Sequence, residues 1–90
     1  MNKFSQNVIN IVKKISKGKT LTYKEVAKKA GNERASRAVG NVLNRYFAYC
    51  QKNKKPIIPC HRVVRSDGKI GGYALGENKK IKMLKKEKAI

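Results

Sequence analysis

Apolar residues recur at helical spacing from the start of the chain. Phe4, Val8, Ile11, Val12 and Ile15 share one face, and Lys13, Lys14 and Lys17 lie off it. The spacing predicts an amphipathic helix from about Asn2 to Lys17, ended by Gly18. Thr20-Leu21 then reads as short and extended. Thr22-Tyr23-Lys24-Glu25 has the form of a capping box, in which the Thr22 hydroxyl and the Glu25 carboxylate satisfy amides at a helix start. That helix runs through Val26, Ala27 and Ala30 and stops at Gly31. Another begins at or near Ser36. Val39, Val42, Leu43, Tyr46 and Phe47 make its apolar face, and Arg37, Asn41, Asn44 and Arg45 make the opposite one. Two short helices joined by a tight turn, the second presenting Arg and Asn outward, read as a helix-turn-helix, although an ordinary helical hairpin shares the pattern.

The stretch from Ala48 to Pro56 is polar and basic; part of it can extend the preceding helix, and Pro56 closes it. The apolar run Ile57-Ile58-Pro59-Cys60-His61-Arg62-Val63-Val64 reads as a strand with a local irregularity at Pro59. Asp67-Gly68 is a hairpin signal, with Ile70-Gly71-Gly72-Tyr73 as the returning strand. Glu77 to about Lys88 reads as a basic helix with Ile81 and Leu84 inward. The expected fold is α/β: a single small winged-helix-like DNA-binding domain over residues 1–90, mostly helical with a short β-hairpin.

Charge sharpens this picture. Lys and Arg number 23 against 5 Asp and Glu, a formal net charge of +18 on 90 residues. Such density favours a polyanionic partner, nucleic acid first and an acidic membrane surface second; lysine enrichment also accompanies heat adaptation. No run approaches the roughly 20 apolar residues of a membrane span, and the amino terminus lacks a signal peptide's apolar core. A cytoplasmic protein is the expectation. Cys50 and Cys60 form no Cys-x-x-Cys pair, and one histidine does not complete a usual zinc set. Free thiols are expected, with neither metal nor cofactor.

The candidate chemistry is at Cys60-His61, a thiol beside the chain's sole histidine. At a reference pKa near 8.5, only about 3% of a free thiol is ionised at pH 7. His61 can serve as base, and Arg62 with the cationic chain can supply a field. A buried core cysteine is the plainer reading of the residue type. On an extended strand adjacent side chains point to opposite faces, so a Cys-His contact needs a bend or a bridging water.

Pro59-Cys60-His61-Arg62-Val63 resembles the active-site motif of the O6-alkylguanine-DNA alkyltransferases. Thr22-Tyr23-Lys24-Glu25-Val26-Ala27 is similar to that family's tyrosine segment, Arg37-Ala38-Val39-Gly40-Asn41 to its recognition-helix motif, and Gly72-Tyr73-Ala74-Leu75-Gly76 to its glycine and tyrosine loop. The four motifs stand in the family's order and cover the carboxy-terminal catalytic domain, without the usual amino-terminal one. The resemblance implies that Cys60 attacks the alkyl carbon on guanine O6. His61, held by Glu87, acts as base through a water, and Tyr23 donates to the departing oxygen. Arg37 fills the gap left by the rotated nucleotide, with Ser36, Tyr23 and Asn41 as further DNA contacts. The carbonyls of Cys60 and Val63 accept from the guanine amino group. Leu43, Tyr73 and Ala74 line or cover the base, and Asn53 takes the place of the hinge asparagine. Here the linker is longer by the Tyr46 to Lys52 stretch, and Ala74 stands where some members have serine.

Taken alone, Tyr23 and Tyr73 read as packing, Glu87 as a surface ion pair among lysines, and Arg37 as a phosphate contact. With the resemblance, the expected partner is double-stranded DNA containing O6-alkylguanine, bound by a monomer that transfers one alkyl group irreversibly. A non-catalytic alkyltransferase-like lesion-recognition protein is the alternative, but those relatives carry another residue where Cys60 stands. A plain helix-turn-helix DNA-binding protein is a third reading, in which Cys60 is dispensable.

Overall fold

The computed structural model describes residues 2–67, 70, 71, 73 and 75–90. Helix α1 spans Lys3–Lys13, and Asn2 caps it by accepting from the Ser5 N–H at 2.8 Å. It is shorter than its apolar stripe predicts. The Ile15 N–H turns back to the Val12 carbonyl, and the Ile15 carbonyl accepts from Arg62 Nη1 at 2.8 Å. A tertiary hydrogen bond thus replaces the next helical one, while Ile15 stays buried.

Strand β1 (Leu21–Thr22) leads directly into α2 (Tyr23–Lys29). The capping box forms: the Glu25 N–H donates to Thr22 Oγ1 at 3.0 Å, and the Thr22 N–H donates to Glu25 Oε1 at 3.1 Å. At the other end Gly31 has φ +102°. Its N–H bonds to the Lys28 carbonyl and that of Asn32 to the Ala27 carbonyl, the paired bonds of a Schellman ending. Helix α3 spans Ser36–Lys52, so the extra Tyr46 to Lys52 stretch lengthens this helix. Val39, Leu43 and Phe47 are buried, and Arg37, Asn41, Asn44 and Arg45 are exposed, as the periodicity predicts; Val42 and Tyr46 are half-buried, and Cys50 extends the buried stripe beyond the predicted face.

The cysteine segment departs from expectation. Cys60–Arg62 forms a single 3-10 turn, followed by a two-residue strand, β2 (Val63–Val64). Strand β2 pairs with β1 in parallel, Leu21 opposite Val63 and Thr22 opposite Val64. The hairpin expectation is therefore corrected: the strand pair is parallel and long-range, and Ile70, Gly71 and Tyr73 belong to no strand. Gly71, at φ +84°, is in the left-handed region and cannot continue a ladder. Gly68 and Gly72, which the hairpin also invoked, lie outside the described residues.

Helix α4 spans Glu77–Lys86. The core lies where α1, α2 and α3 meet: Val8, Val12, Val26, Ala27, Val39, Leu43 and Phe47 pack with Ile58, Cys60 and Val63. The fold is a small, mostly helical domain of helix-turn-helix type, with α2 and α3 as the pair. No helix among the described residues is long and apolar enough to cross a membrane.

Thr22→Ala removes one half of the capping box at the junction of β1 and α2. We predict a loss of about 1 kcal/mol in chemical denaturation; an unchanged midpoint would mean that the cap contributes nothing here.

Candidate nucleophile pocket and nucleic-acid interface

The 3-10 turn supplies the bend that an extended strand lacks, placing Cys60 and His61 in one turn. Both are buried, at 6% and 5% exposure. Cys60 opens onto a cavity of about 460 Å³ lined by Tyr23, Gly40, Asn41, Leu43, Asn44 and Tyr73. Four elements converge there: the start of α2, the middle of α3, the turn and the segment before α4.

A second cavity, of about 500 Å³, shares Tyr23 and Gly40 as a common wall. Ser36, Arg37, Lys24, Arg65, Ser66 and Asp67 complete it, so three cations rim it against one carboxylate. Asp67 pairs with Arg65 at 2.6 Å. Ser36 and Arg37 therefore lie across the Tyr23–Gly40 wall from the thiol pocket, while Asn41 and Leu43 line the pocket itself.

Gly71 closes one side of Tyr23. A Cβ at Gly71 would meet the Tyr23 ring at 3.2 Å and Arg65 Cγ at 3.0 Å, and the positive φ would strain any other residue as well. Tyr73 stands edge-on to both Phe47, at 6.0 Å, and His61, at 6.3 Å.

Glu87 caps the end of α4 and reaches the turn. His61 Nε2 donates to Glu87 Oε2 at 3.0 Å, while Arg62 Nε and Nη2 donate to Oε1 and Oε2 at 2.9 and 2.7 Å. The Arg62 guanidinium, followed by His61, holds the Glu87 carboxyl down at about 2. Glu87 is therefore an acceptor only, so His61 Nε2 carries a proton in this contact and Nδ1 is the ring nitrogen turned away from the carboxylate. Arg62, a fork between Glu87 and the Ile15 carbonyl, is a support that sequence reading assigned only to the local field.

Burial pushes the Cys60 thiol above its ordinary value, and the Lys80 charge opposes that rise. Burial likewise raises Tyr23, and the nearby Cys60 raises it further, which keeps the phenol protonated as a donor. Lys80 escaped the sequence reading. It is fully buried, donates to the Val63 carbonyl at 2.5 Å, and lies 5.5 Å from the centroid of the Tyr23 ring. Its position one turn before the inward Leu84 is the signal that marks it.

Two expectations fare differently. Asn53 stands exposed at the end of α3, donating to the Tyr49 carbonyl at 2.9 Å, and does not line the pocket. It caps the lengthened α3. Ala74 lies outside the described residues. Val63 is wholly buried, so only its backbone carbonyl remains available for the role given to it. Cys50 is a second buried free thiol.

With this geometry, comparison with known proteins is decisive about family. The chain belongs to the 6-O-methylguanine DNA methyltransferase family: the family model for its DNA binding domain matches residues 3–89. A relative in Methanosarcina acetivorans, a methylated-DNA–protein-cysteine methyltransferase, is 44% identical over 87 residues, covering 93% of this chain and 50% of its own length. The crystal structure of Mycobacterium tuberculosis OGT in complex with DNA superposes with a TM-score of 0.79 at 36% identity, over 99% of this chain and 51% of that one. Atl1 of S. pombe, in complex with damaged DNA containing O6-carboxymethylguanine, gives a TM-score of 0.78 at 29% identity, over 97% and 77%. The chain thus spans about half the length of the methyltransferases it matches.

Because Glu87 is held below its ordinary value, its contribution to stability is complete above about pH 5 and disappears as pH falls toward its folded value. Glu87→Gln should therefore lower the denaturation midpoint at pH 7, and the gap from the wild type should narrow steadily toward pH 3. A gap independent of pH would mean that the carboxylate's charge is not what holds the turn.

Proposed function

We propose that residues 1–90 form a domain that both binds duplex DNA and carries out repair, taking a methyl or other alkyl group from O6 of guanine irreversibly onto Cys60. The observation that carries this reading is Cys60 opening onto a pocket shared with Tyr23, with a His61–Glu87 pair in the adjoining turn. Family membership and the likeness to DNA-bound relatives support it.

An alkylated base inside a stack is beyond the reach of a buried thiol, so the nucleotide must rotate out, at a cost of a few kcal/mol. Arg37, on the exposed face at the start of α3, fills the gap, and Ser36 and Asn41 contact the strand. The base enters beside Leu43 and Tyr73, with Ala74 in the loop that covers it. Its amino group donates to the Cys60 and Val63 carbonyls. Each of these already accepts one donor, the Val63 N–H and Lys80 Nζ respectively, and each retains a second lone pair.

His61 Nδ1 takes the Cys60 proton through a water as the sulfur forms its bond to the alkyl carbon. The carbon–O6 bond breaks with its pair going to the purine, which is protonated by Tyr23. The proton on His61 returns to the tyrosinate through solvent. Breaking the thioether would need a second nucleophile at the sulfur-bound carbon, and among the described residues no other thiol lines this pocket; in this reading each molecule acts once, as a cytoplasmic monomer and without a cofactor.

The likeness to Atl1 favours a second reading, a protein that recognises the lesion without transfer. Cys60 argues against it, since alkyltransferase-like proteins carry another residue there.

Repair of an O6-methylguanine duplex, followed by cleavage at a restriction site that methylation blocks, separates the readings. Wild type should restore cleavage at one site per molecule, and Cys60→Ala should restore none while binding the duplex within a few-fold. Persistent repair by Cys60→Ala would remove the thiol from the chemistry. Arg37→Ala should slow repair in duplex by tenfold or more and leave reaction with the free alkylated base unchanged; equal losses on both would sink the gap-filling role.

A further inference from the structure

A fully buried lysine costs folding free energy unless its charge is used. Lys80 is such a residue, on the inward face of α4. Its ammonium is anchored on the Val63 carbonyl, at the end of the turn that carries Cys60, and lies over the ring of Tyr23. Both Tyr23 and Cys60 line the thiol pocket. Arg62, the other cation of this segment, is committed to Glu87 and the Ile15 carbonyl.

We propose that Lys80 is a positioning residue for Cys60: its buried ammonium, fixed between the Val63 carbonyl and the Tyr23 ring, stabilises the thiolate and holds two walls of the pocket in place. The inference rests on the reading of Cys60 as the nucleophile. A nearby cation favours the thiolate, and because the Lys80 side chain is itself buried, water screens its charge less than that of a surface lysine. The influence is mutual: burial lowers Lys80 to about 8, and Cys60 pulls it back up, as does Glu77 on α4. The other titratable groups facing the pair are Tyr23 and its neighbour Arg65, Tyr73, His61 and Cys50. Among the cations of this set, only Lys80 is both wholly buried and bonded to the Cys60 turn.

The test is alkylation of Cys60 by iodoacetamide, in which the sulfur–carbon bond forms as iodide leaves and the thiol proton passes to solvent. Rates are followed by peptide mapping from pH 5.5 to 10 for the wild type and Lys80→Met. The substitution should move the rate profile at least one pH unit upward, a tenfold or greater slowing at pH 7, with folding checked by thermal melting. A profile that coincides with that of the wild type overturns the proposal. If Lys80→Met does not fold, Lys80→Gln, which keeps a donor for the Val63 carbonyl without the charge, takes its place: a profile raised by at least one pH unit supports the proposal, and one that coincides with the wild type overturns it. Neither readout needs alkylated DNA, so a failure of methyl transfer is seen separately from a failure of this coupling.

Discussion

Glu87 is the constraint on which the site depends. One carboxylate at the end of α4 binds His61 and Arg62 together, and Arg62 carries the tie onward to the carbonyl that ends α1. Three segments distant in sequence are thereby joined at the turn that carries Cys60. The charge on Glu87 and the tautomer of His61 are consequences of the same contact. A bidentate guanidinium keeps the carboxylate ionised, and an ionised carboxylate can only accept, so the imidazole donates from Nε2 and leaves Nδ1 for the base role proposed for it.

Around this knot the helices divide the labour. Helix α3 buries one stripe in the core and turns Arg37, Asn41 and Asn44 to the outside, two of them onto the pocket wall. The start of α2 sets Tyr23 across from Cys60, and its capping box fixes where that start falls. The parallel pairing of Leu21 with Val63 is small but decisive, because it locks the entrance of α2 to the exit of the cysteine turn. The distance between a phenol and a thiol is thus set by backbone hydrogen bonds and not by the side chains alone.

What was legible in the sequence was what local rules determine. The Thr22 to Glu25 box, the Gly31 ending and the two faces of α3 follow from spacing and residue type within a few turns. The cysteine segment was misread because its apolar run fits a strand, whereas its conformation is imposed by partners far away: the Ile15 carbonyl, Glu87 and β1. Nor did periodicity fix how far α3 continues past Phe47, which is why the exposed position of Asn53 at the helix end, off the pocket wall, was not legible. Lys80 was hidden by its own type. A lysine in a lysine-rich helix reads as solvated surface, and only its alignment with Leu84 distinguishes it from Lys79 and Lys82.

The central claim, that Cys60 accepts an alkyl group once and for good, is tested most directly by intact-protein mass spectrometry after incubation with an O6-methylguanine oligonucleotide, followed by peptide mapping. The account predicts a gain of one methyl group per molecule, located on Cys60, with no further gain under excess lesion. A protein that binds the lesion and returns with its mass unchanged would contradict transfer and leave lesion recognition as its function.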